Sequence, residues 1–163
     1  MILIALGSNL PGRFAHPSDN LAAALEAMPE AGITVIKPSS IYTTRPVPAS
    51  DQPDYSNAVA LVETAHDPHA LLHALLGIER TFGRVRDAEN RNAARTLDLD
   101  ILAYNNTVLV DDRLDLPHPR LHERLFVLEP LAEIAPGWVH PVSGQSAAAL
   151  LTQHKAMLGS APL

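Results

Sequence analysis

The inferred order of elements along the chain is strand-helix-strand-strand-helix-strand. That order predicts a ferredoxin-like α+β fold, a mainly antiparallel sheet with helices packed on one face and long active-site loops. Two further observations predict one domain over residues 1–163: no stretch repeats another, and no linker divides the apolar periodicity into halves. With 163 residues, 47% of them hydrophobic, the chain can bury roughly 70% of its extended surface around a single core.

Ile2 to Leu6 is an unbroken apolar run that ends at Gly7-Ser8-Asn9, the pattern of a buried strand leaving its sheet. Gly7 to Pro17 reads as a loop. Pro17 or Ser18 opens a helix whose apolar face is Leu21, Ala24, Leu25 and Met28, and Pro29 and Gly32 stop it. Ile33 to Tyr42 alternates β-branched and polar residues, which predicts one strand, with Pro38 placing it at a sheet edge or a bulge. Thr44 to Asp54 contains three prolines and must be a loop, and a loop of that length usually carries function.

Tyr55 to Glu63 returns to strand character. Asp67-Pro68 opens a second helix, carried by Leu71, Leu72, Leu75, Ile78 and Phe82 as far as Gly83. Arg84 to Arg95 is charged and lacks apolar periodicity, so it forms the second long loop. Thr96 to Tyr104 alternates as a strand, and Asn105-Asn106 predicts a hairpin to a short partner strand, Thr107 to Val110. Beyond it lie Pro117-His118-Pro119, an apolar run from Leu125 to Leu131, and a last amphipathic helix from about Gln145 to Leu151.

Composition excludes several functions. Eighteen acidic residues against twelve basic ones give a net charge of −6, which argues against a chain-wide surface for nucleic acid. Three phenylalanines, three tyrosines and one tryptophan are too few for a stacking platform along single strands. With no cysteine there is no thiolate or disulfide chemistry. The apolar opening run is short and has no basic segment before it, and no stretch approaches the ~20 apolar residues that cross a bilayer. A cytoplasmic protein without nucleic-acid or membrane partners is expected.

The chemistry gathers around Asp98-Leu99-Asp100. On a strand, residues two apart share a face with Cα atoms about 6.5 Å apart, so both carboxylates can converge on a hard cation such as Mg²⁺. Two like charges side by side need a counter-charge, either a metal or nearby arginines, and a solvated strand face neutralised by Arg95 is the competing interpretation. Arg80, Arg84, Arg86, Arg91 and Arg95 place five of the twelve basic residues within sixteen positions just upstream of the pair. Guanidinium groups bind phosphate oxygens in bidentate fashion, so an arginine loop facing paired carboxylates is a phosphoryl-transfer layout. Neither a P-loop nor a Gly-x-Gly-x-x-Gly fingerprint occurs, so phosphates must be held by side chains. His69 with His73 and His118 with His122 repeat a four-residue interval without a third ligand at zinc spacing, which favours surface histidines. His118 stands apart because Pro117 and Pro119 stiffen its backbone.

A series of motifs spans most of the chain: Leu6-Gly-Ser-Asn-Leu10; Tyr42 with Thr44 and Pro46; Asp51-Gln-Pro-Asp-Tyr55 with Asn57; Glu79 with Gly83-Arg-Val-Arg86; Arg95-Thr-Leu-Asp-Leu-Asp-Ile101; Pro117-His118; Arg124 with Phe126; and Glu133-Ile-Ala-Pro136. In order and spacing the series resembles the 6-hydroxymethyl-7,8-dihydropterin pyrophosphokinases of folate biosynthesis. The resemblance implies Mg-dependent transfer of pyrophosphate from ATP, the co-substrate, to the hydroxymethyl group of a reduced pterin, with attack at the β-phosphorus and release of AMP. By match, Asp98 and Asp100 would hold two Mg²⁺ ions, and Arg84 and Arg95 would lie on a mobile catalytic loop. His118 and Arg124 would contact the nucleotide phosphates, and Glu79, Arg86, Ile101 and Arg113 match further nucleotide positions.

The same resemblance implies a pterin pocket in which Tyr55 and Phe126 hold the flat ring, Asn57 reads its polar edge, and Thr44 and Val47 complete the wall. The chain departs from the family pattern at Asn92-Ala-Ala, where many relatives place Trp followed by Gly-Pro, at Pro119 and at Arg45. The expected state is a monomer acting on small molecules. Apart from the resemblance, a non-catalytic ferredoxin-like binding module and a phosphohydrolase using the same carboxylates remain alternatives, and no residue stands out as a general base.

Overall fold

A computed structural model describes residues 1–45, 53–83 and 96–160 of the protein. Its centre is a sheet in which β1 (Ile2–Ser8), β2 (Ile33–Pro38), β4 (Tyr55–Thr64) and β5 (Asp98–Tyr104) lie in the order β2-β4-β1-β5, with the short β3 (Tyr42–Thr44) also paired to β4. Every pairing in it is antiparallel. With α1 (Pro17–Ala27) between β1 and β2 and α2 (Pro68–Thr81) between β4 and β5, the core has the ferredoxin-like arrangement.

The local starts and stops follow the sequence. Pro17 stands at the first turn of α1, and a 3-10 turn Pro29–Ala31 ends at Gly32 with φ +80, a conformation that favours glycine. The Asp67 carboxylate caps α2 by accepting from Ala70 N at 2.8 Å.

The strand expected from Ile33 to Tyr42 is two strands. β2 bulges between Val35 and Lys37 and ends at Pro38, which has no N–H for the ladder; β3 resumes four residues later, and both pair with β4. The predicted hairpin from β5 is also overturned. Asn105 does turn the chain, with φ +53, but β6 (Leu109–Val110) pairs with β7 (Asp115–Leu116) in a separate two-stranded ribbon. β5 carries a bulge at Leu102, and that carbonyl accepts from His118 N at 2.8 Å, so the segment after β7, not a hairpin partner, lies against β5.

The largest correction concerns the helices, which cover both faces of the sheet. One face packs Ile2, Ile4, Leu6, Leu99 and Ile101 against α1 and α2 through Leu21, Met28, Leu71 and Leu75. The other packs Leu3, Val59, Leu102 and Ala103 against α3 (Leu125–Ile134) and α4 (Ala147–Ser160) through Val127, Leu128, Leu131 and Leu150. The sequence pattern does not predict α3 as a helix, because Pro130 sits inside it and its apolar residues run together without a 3.6-residue stripe. α4 begins after Ser146, whose hydroxyl accepts from Ala149 N at 3.1 Å, and it extends well past Leu151.

Candidate active site

The register of β1 organises one patch of the α3 face. Gly7 pairs with Asp98 on one side and with Asn57 on the other, and Asn57 pairs with Tyr42 of β3. A single row therefore runs Asp98, Gly7, Asn57, Tyr42 across four strands. The neighbouring row carries Asp100, Ala5 and Val59. Leu97, Leu99 and Ile101 point into the α1/α2 core, so Asp98 and Asp100 project together from the opposite face, each half-buried.

Gly7 keeps the floor between them flat. A Cβ there would lie 3.3 Å from the Asn57 Oδ1 and 3.9 Å from the Tyr55 ring. Asn57 is buried, and its Nδ2 donates to Thr44 Oγ1 at 2.6 Å, which fixes which end of the amide faces β3. Thr44 pairs with Tyr55. Thr44, Tyr55 and Asn57 thus share the face that α3 covers, and half-buried Phe126 sits in the first turn of that helix. Among the described residues, Tyr55 and Phe126 make no ring-to-ring contact.

Positive charge approaches the Asp pair from the start of α3. Arg124 is its N-cap residue, with its guanidinium 5.5 Å from the Phe126 ring centroid. Burial pulls that guanidinium below its ordinary value, while the carboxylates of Asp100 and then Asp98 act in the opposite sense. His118 sits beside them. Burial, with Arg124 and Arg120 adding to it, pushes its imidazole down from 6.5 to about 4, against the pull of Asp98 and Asp115. Its Nδ1 accepts from Arg120 N at 3.2 Å, so the neutral ring carries its proton on Nε2. At neutral pH His118 is an uncharged donor.

The remaining assigned residues fall elsewhere. Glu79 is buried on the α2 side, where its Oε2 accepts from Leu99 N at 2.7 Å, and Ile101 lies in the same core. Arg113 is exposed at the β6–β7 turn, whose Asp111 Oδ1 accepts from the Arg113 and Leu114 N–H groups at 2.8 Å each. Val47, Arg84, Arg86 and Arg95 lie outside the described residues. His69 is engaged with Asp111 at 2.7 Å, which ties α2 to the β6–β7 ribbon.

Sequence reasoning missed Asn20. It is buried on α1, and its Nδ2 lies within hydrogen-bond distance of Ser8 Oγ and the carbonyls of Leu10 and Pro11, so it secures the exit of β1 below Gly7. A polar residue next to the apolar stripe of a helix was the available signal. A separate apolar groove of about 450 Å³ opens beyond His118, lined by Val110, Leu116, His140, Leu150 and Met157 among others. Neither Asp98, Asp100, Asn57 nor Phe126 borders it.

Among the described residues no cluster of three or more His, Cys, Asp or Glu gathers that could hold a metal by itself. Two same-face carboxylates nonetheless fit Mg²⁺, which keeps several waters and is commonly bound by one or two carboxylates together with substrate phosphates.

Comparison with known proteins shows the family and the fold. Residues 3–136 match the family model of 7,8-dihydro-6-hydroxymethylpterin-pyrophosphokinase. The chain is 47% identical over 141 residues to the 2-amino-4-hydroxy-6-hydroxymethyldihydropteridine pyrophosphokinase of Haemophilus influenzae, covering 86% of this chain and 84% of that one. It is 42% identical over 147 residues to the folic acid synthesis protein fol1 of Pneumocystis carinii, covering 90% of this chain but 19% of that protein. Among solved structures, a Plasmodium falciparum HPPK-DHPS chain aligns with 98% of this chain at a TM-score of 0.76 and 14% identity, a likeness of fold. This chain spans 46% of that solved chain.

Proposed function

The chain belongs to the 7,8-dihydro-6-hydroxymethylpterin-pyrophosphokinase family, and on that premise we propose that it transfers pyrophosphate from ATP to the hydroxymethyl group of 6-hydroxymethyl-7,8-dihydropterin. The products are AMP and the pterin diphosphate, a step of tetrahydrofolate biosynthesis. The observation that carries the proposal is the row Asp98, Gly7, Asn57. Asn57 and Asp98 stand two strand spacings apart, about 10 Å, with no side chain between them. That interval suits a flat bicyclic ring read at one end and pyrophosphorylated through a one-carbon arm at the other.

In this reading Asn57 takes the polar edge of the pterin, because an amide offers both a donor and an acceptor. Tyr55 and Phe126 cover its faces, and Thr44 and Val47 close the wall. Asp98 and Asp100 hold Mg²⁺, two ions by the family pattern, and the metal supplies neutralisation of phosphate charge and orientation of the attacking hydroxyl. His118 donates from Nε2 to a phosphate oxygen without adding charge, and Arg124 contributes a fixed cation beside the Asp pair. Arg84 and Arg95 close over the phosphates, and Glu79, Arg86, Ile101 and Arg113 serve the nucleotide side. The hydroxyl oxygen bonds to the β-phosphorus as the bond from that phosphorus to the α–β bridging oxygen breaks; AMP leaves with that oxygen, and the hydroxyl proton passes to solvent. Positioning and electrostatics provide most of the acceleration.

No helix among the described residues is long and apolar enough to cross a membrane. A cytoplasmic, monomeric, single-domain enzyme over 1–163 acting on two small molecules, without nucleic acid, completes the proposal. Incubation with ATP, Mg²⁺ and hydroxymethyl-dihydropterin should yield AMP in step with pterin diphosphate. ADP as the sole nucleotide product overturns pyrophosphate transfer.

A further inference from the structure

The Glu133 carboxylate ties α3 to the segment that leads into β3. Glu133 lies in the last turn of α3 and is exposed, yet its carboxylate gathers the chain that leads into β3. Oε1 accepts from Tyr42 OH at 2.7 Å and from Ser40 N at 3.1 Å. Oε2 accepts from Ser40 N at 2.9 Å and from Ser40 Oγ at 3.0 Å. The preceding residue, Ser39, is fastened to β4 instead: its N donates to Val59 O at 2.8 Å and its Oγ accepts from Val59 N at 2.9 Å. Two consecutive serines thus tie one segment to the sheet and to the helix above it.

Both ends of this tie lead to the pocket. Glu133 and Phe126 are seven residues apart on α3, which puts them on one helix face about 10 Å apart along the axis. Tyr42 and Thr44 are two apart on β3 and face the same way, about 6.5 Å apart. β3 has three residues and, among the described residues, pairs only with β4, so few described contacts fix its height against α3. Thr44 in turn receives the Asn57 amide.

The geometry points to Glu133, acting through Tyr42 and Ser40, as a positioning residue for pterin binding: it sets the spacing between the β3–β4 wall and the Phe126 wall. The inference rests on the pterin assignment made above. Charge strengthens the tie, since the hydrogen bonds from Tyr42 and Ser40 hold the Glu133 carboxyl below its usual range, while that carboxylate pushes the Tyr42 phenol up to about 12. Lys37 faces Glu133 with opposite charge, and Glu129 faces Tyr42 with like charge to the carboxylate.

The test measures Kd for hydroxymethyl-dihydropterin and for a non-hydrolysable ATP analogue, together with kcat and Tm, in full-length Glu133→Ala, Glu133→Gln and Tyr42→Phe. Glu133→Ala should raise the pterin Kd about tenfold, and Tyr42→Phe about threefold, with the ATP-analogue Kd and the kcat at saturating pterin within about twofold. Glu133→Gln, which keeps an acceptor for Tyr42, should recover most of the loss. Equal weakening of both ligands, a loss of affinity that simply follows Tm, or unchanged pterin binding in both Glu133→Ala and Tyr42→Phe overturns the clamp. Failure of the wild-type chain to bind pterin at all overturns the functional reading itself, a result distinct from the others.

Discussion

The two faces of the central sheet are built from the same strands and obey opposite rules. Toward α1 and α2, β1, β4 and β5 present Ile4, Leu6, Ala60, Val62, Leu99 and Ile101, all buried against helix side chains of matching bulk. Toward α3, the same strands carry Leu3, Leu61 and Ala103 at one end, then a mixed row of Val59, Ala5 and Asp100, and Gly7, Asn57 and Asp98 at the other. One face is filled throughout. The other is filled over half its length and then gives way to small and polar residues, where α3 begins with Arg124 and Phe126. A strand reverses face at every residue, so one sequence can build a close-packed core and a polar floor without either disturbing the other.

The sharpest way to break that contrast is to mutate matched positions on opposite faces of β5 and its neighbours. If Asp98 holds Mg²⁺ as proposed, Asp98→Asn should lower kcat/KM on the order of 10³-fold. The same change should move Tm far less than a core truncation does, because Asp98 is half-buried and the amide keeps the side chain's shape. Leu75→Ala, on the filled face, should do the reverse. It should cost about 3 kcal/mol of stability in urea unfolding and leave turnover per folded molecule near that of the wild type. A Tm loss in Asp98→Asn as large as that in Leu75→Ala would mean that the polar patch is structural.

The filled face was also the legible one. Leu21, Ala24 and Met28 on α1, Leu71, Leu75 and Ile78 on α2, and the alternation of Leu97, Leu99 and Ile101 are all periodic signals, and the structure buries each of these residues. The Asp98/Asp100 pairing was legible for the same reason, since a period of two fixes a shared face whatever the strand's neighbours. Elements on the other face were harder. Pro130 and an all-round apolar run concealed α3, and without α3 the second layer could not be anticipated. The role of Gly7 depends on which residues it pairs with across two strands, and the Glu133 tie joins residues more than ninety positions apart; neither leaves a local pattern.

His118 sharpens the comparison through pH, because it is a half-buried titratable group beside the polar patch. Its folded value of about 4 lies below the ordinary 6.5, so the native state resists the proton that the unfolded chain accepts. Its contribution is fully present above pH 6.5 and is lost progressively as pH falls through about 4, where the native ring also titrates. With allowance for partial exposure, the loss is on the order of 2 kcal/mol. Asp98, Asp115, Arg120 and Arg124 face the ring, so the comparison must be made with His118→Gln, which keeps them all. Urea unfolding at pH 7 and pH 4.5 should show the wild type losing more stability than the variant. Equal losses would place the His118 proton equilibrium near its ordinary value. Between pH 7 and 8 the affinity for an ATP analogue should show no inflection from this ring.

The smallest substitution probes the contrast most directly. Gly7 has a negative φ, so Ala is allowed there by the backbone, and its strand neighbours Leu6 and Ser8 already carry side chains. The space above it is tight but not closed: the new Cβ would meet Asn57 Oδ1 at 3.3 Å, so that amide would shift by a few tenths of an ångström, and the methyl would stand in the row between Asn57 and Asp98. If that row is a floor for a flat ligand, Gly7→Ala should weaken pterin binding about tenfold while changing folding stability by less than about 1 kcal/mol and leaving ATP-analogue affinity alone. If the residue is small merely to let β1, β4 and β5 approach, stability should fall while pterin affinity per folded molecule holds. The two outcomes separate a glycine kept for a ligand from one kept for the sheet, and titration calorimetry alongside a thermal melt distinguishes them.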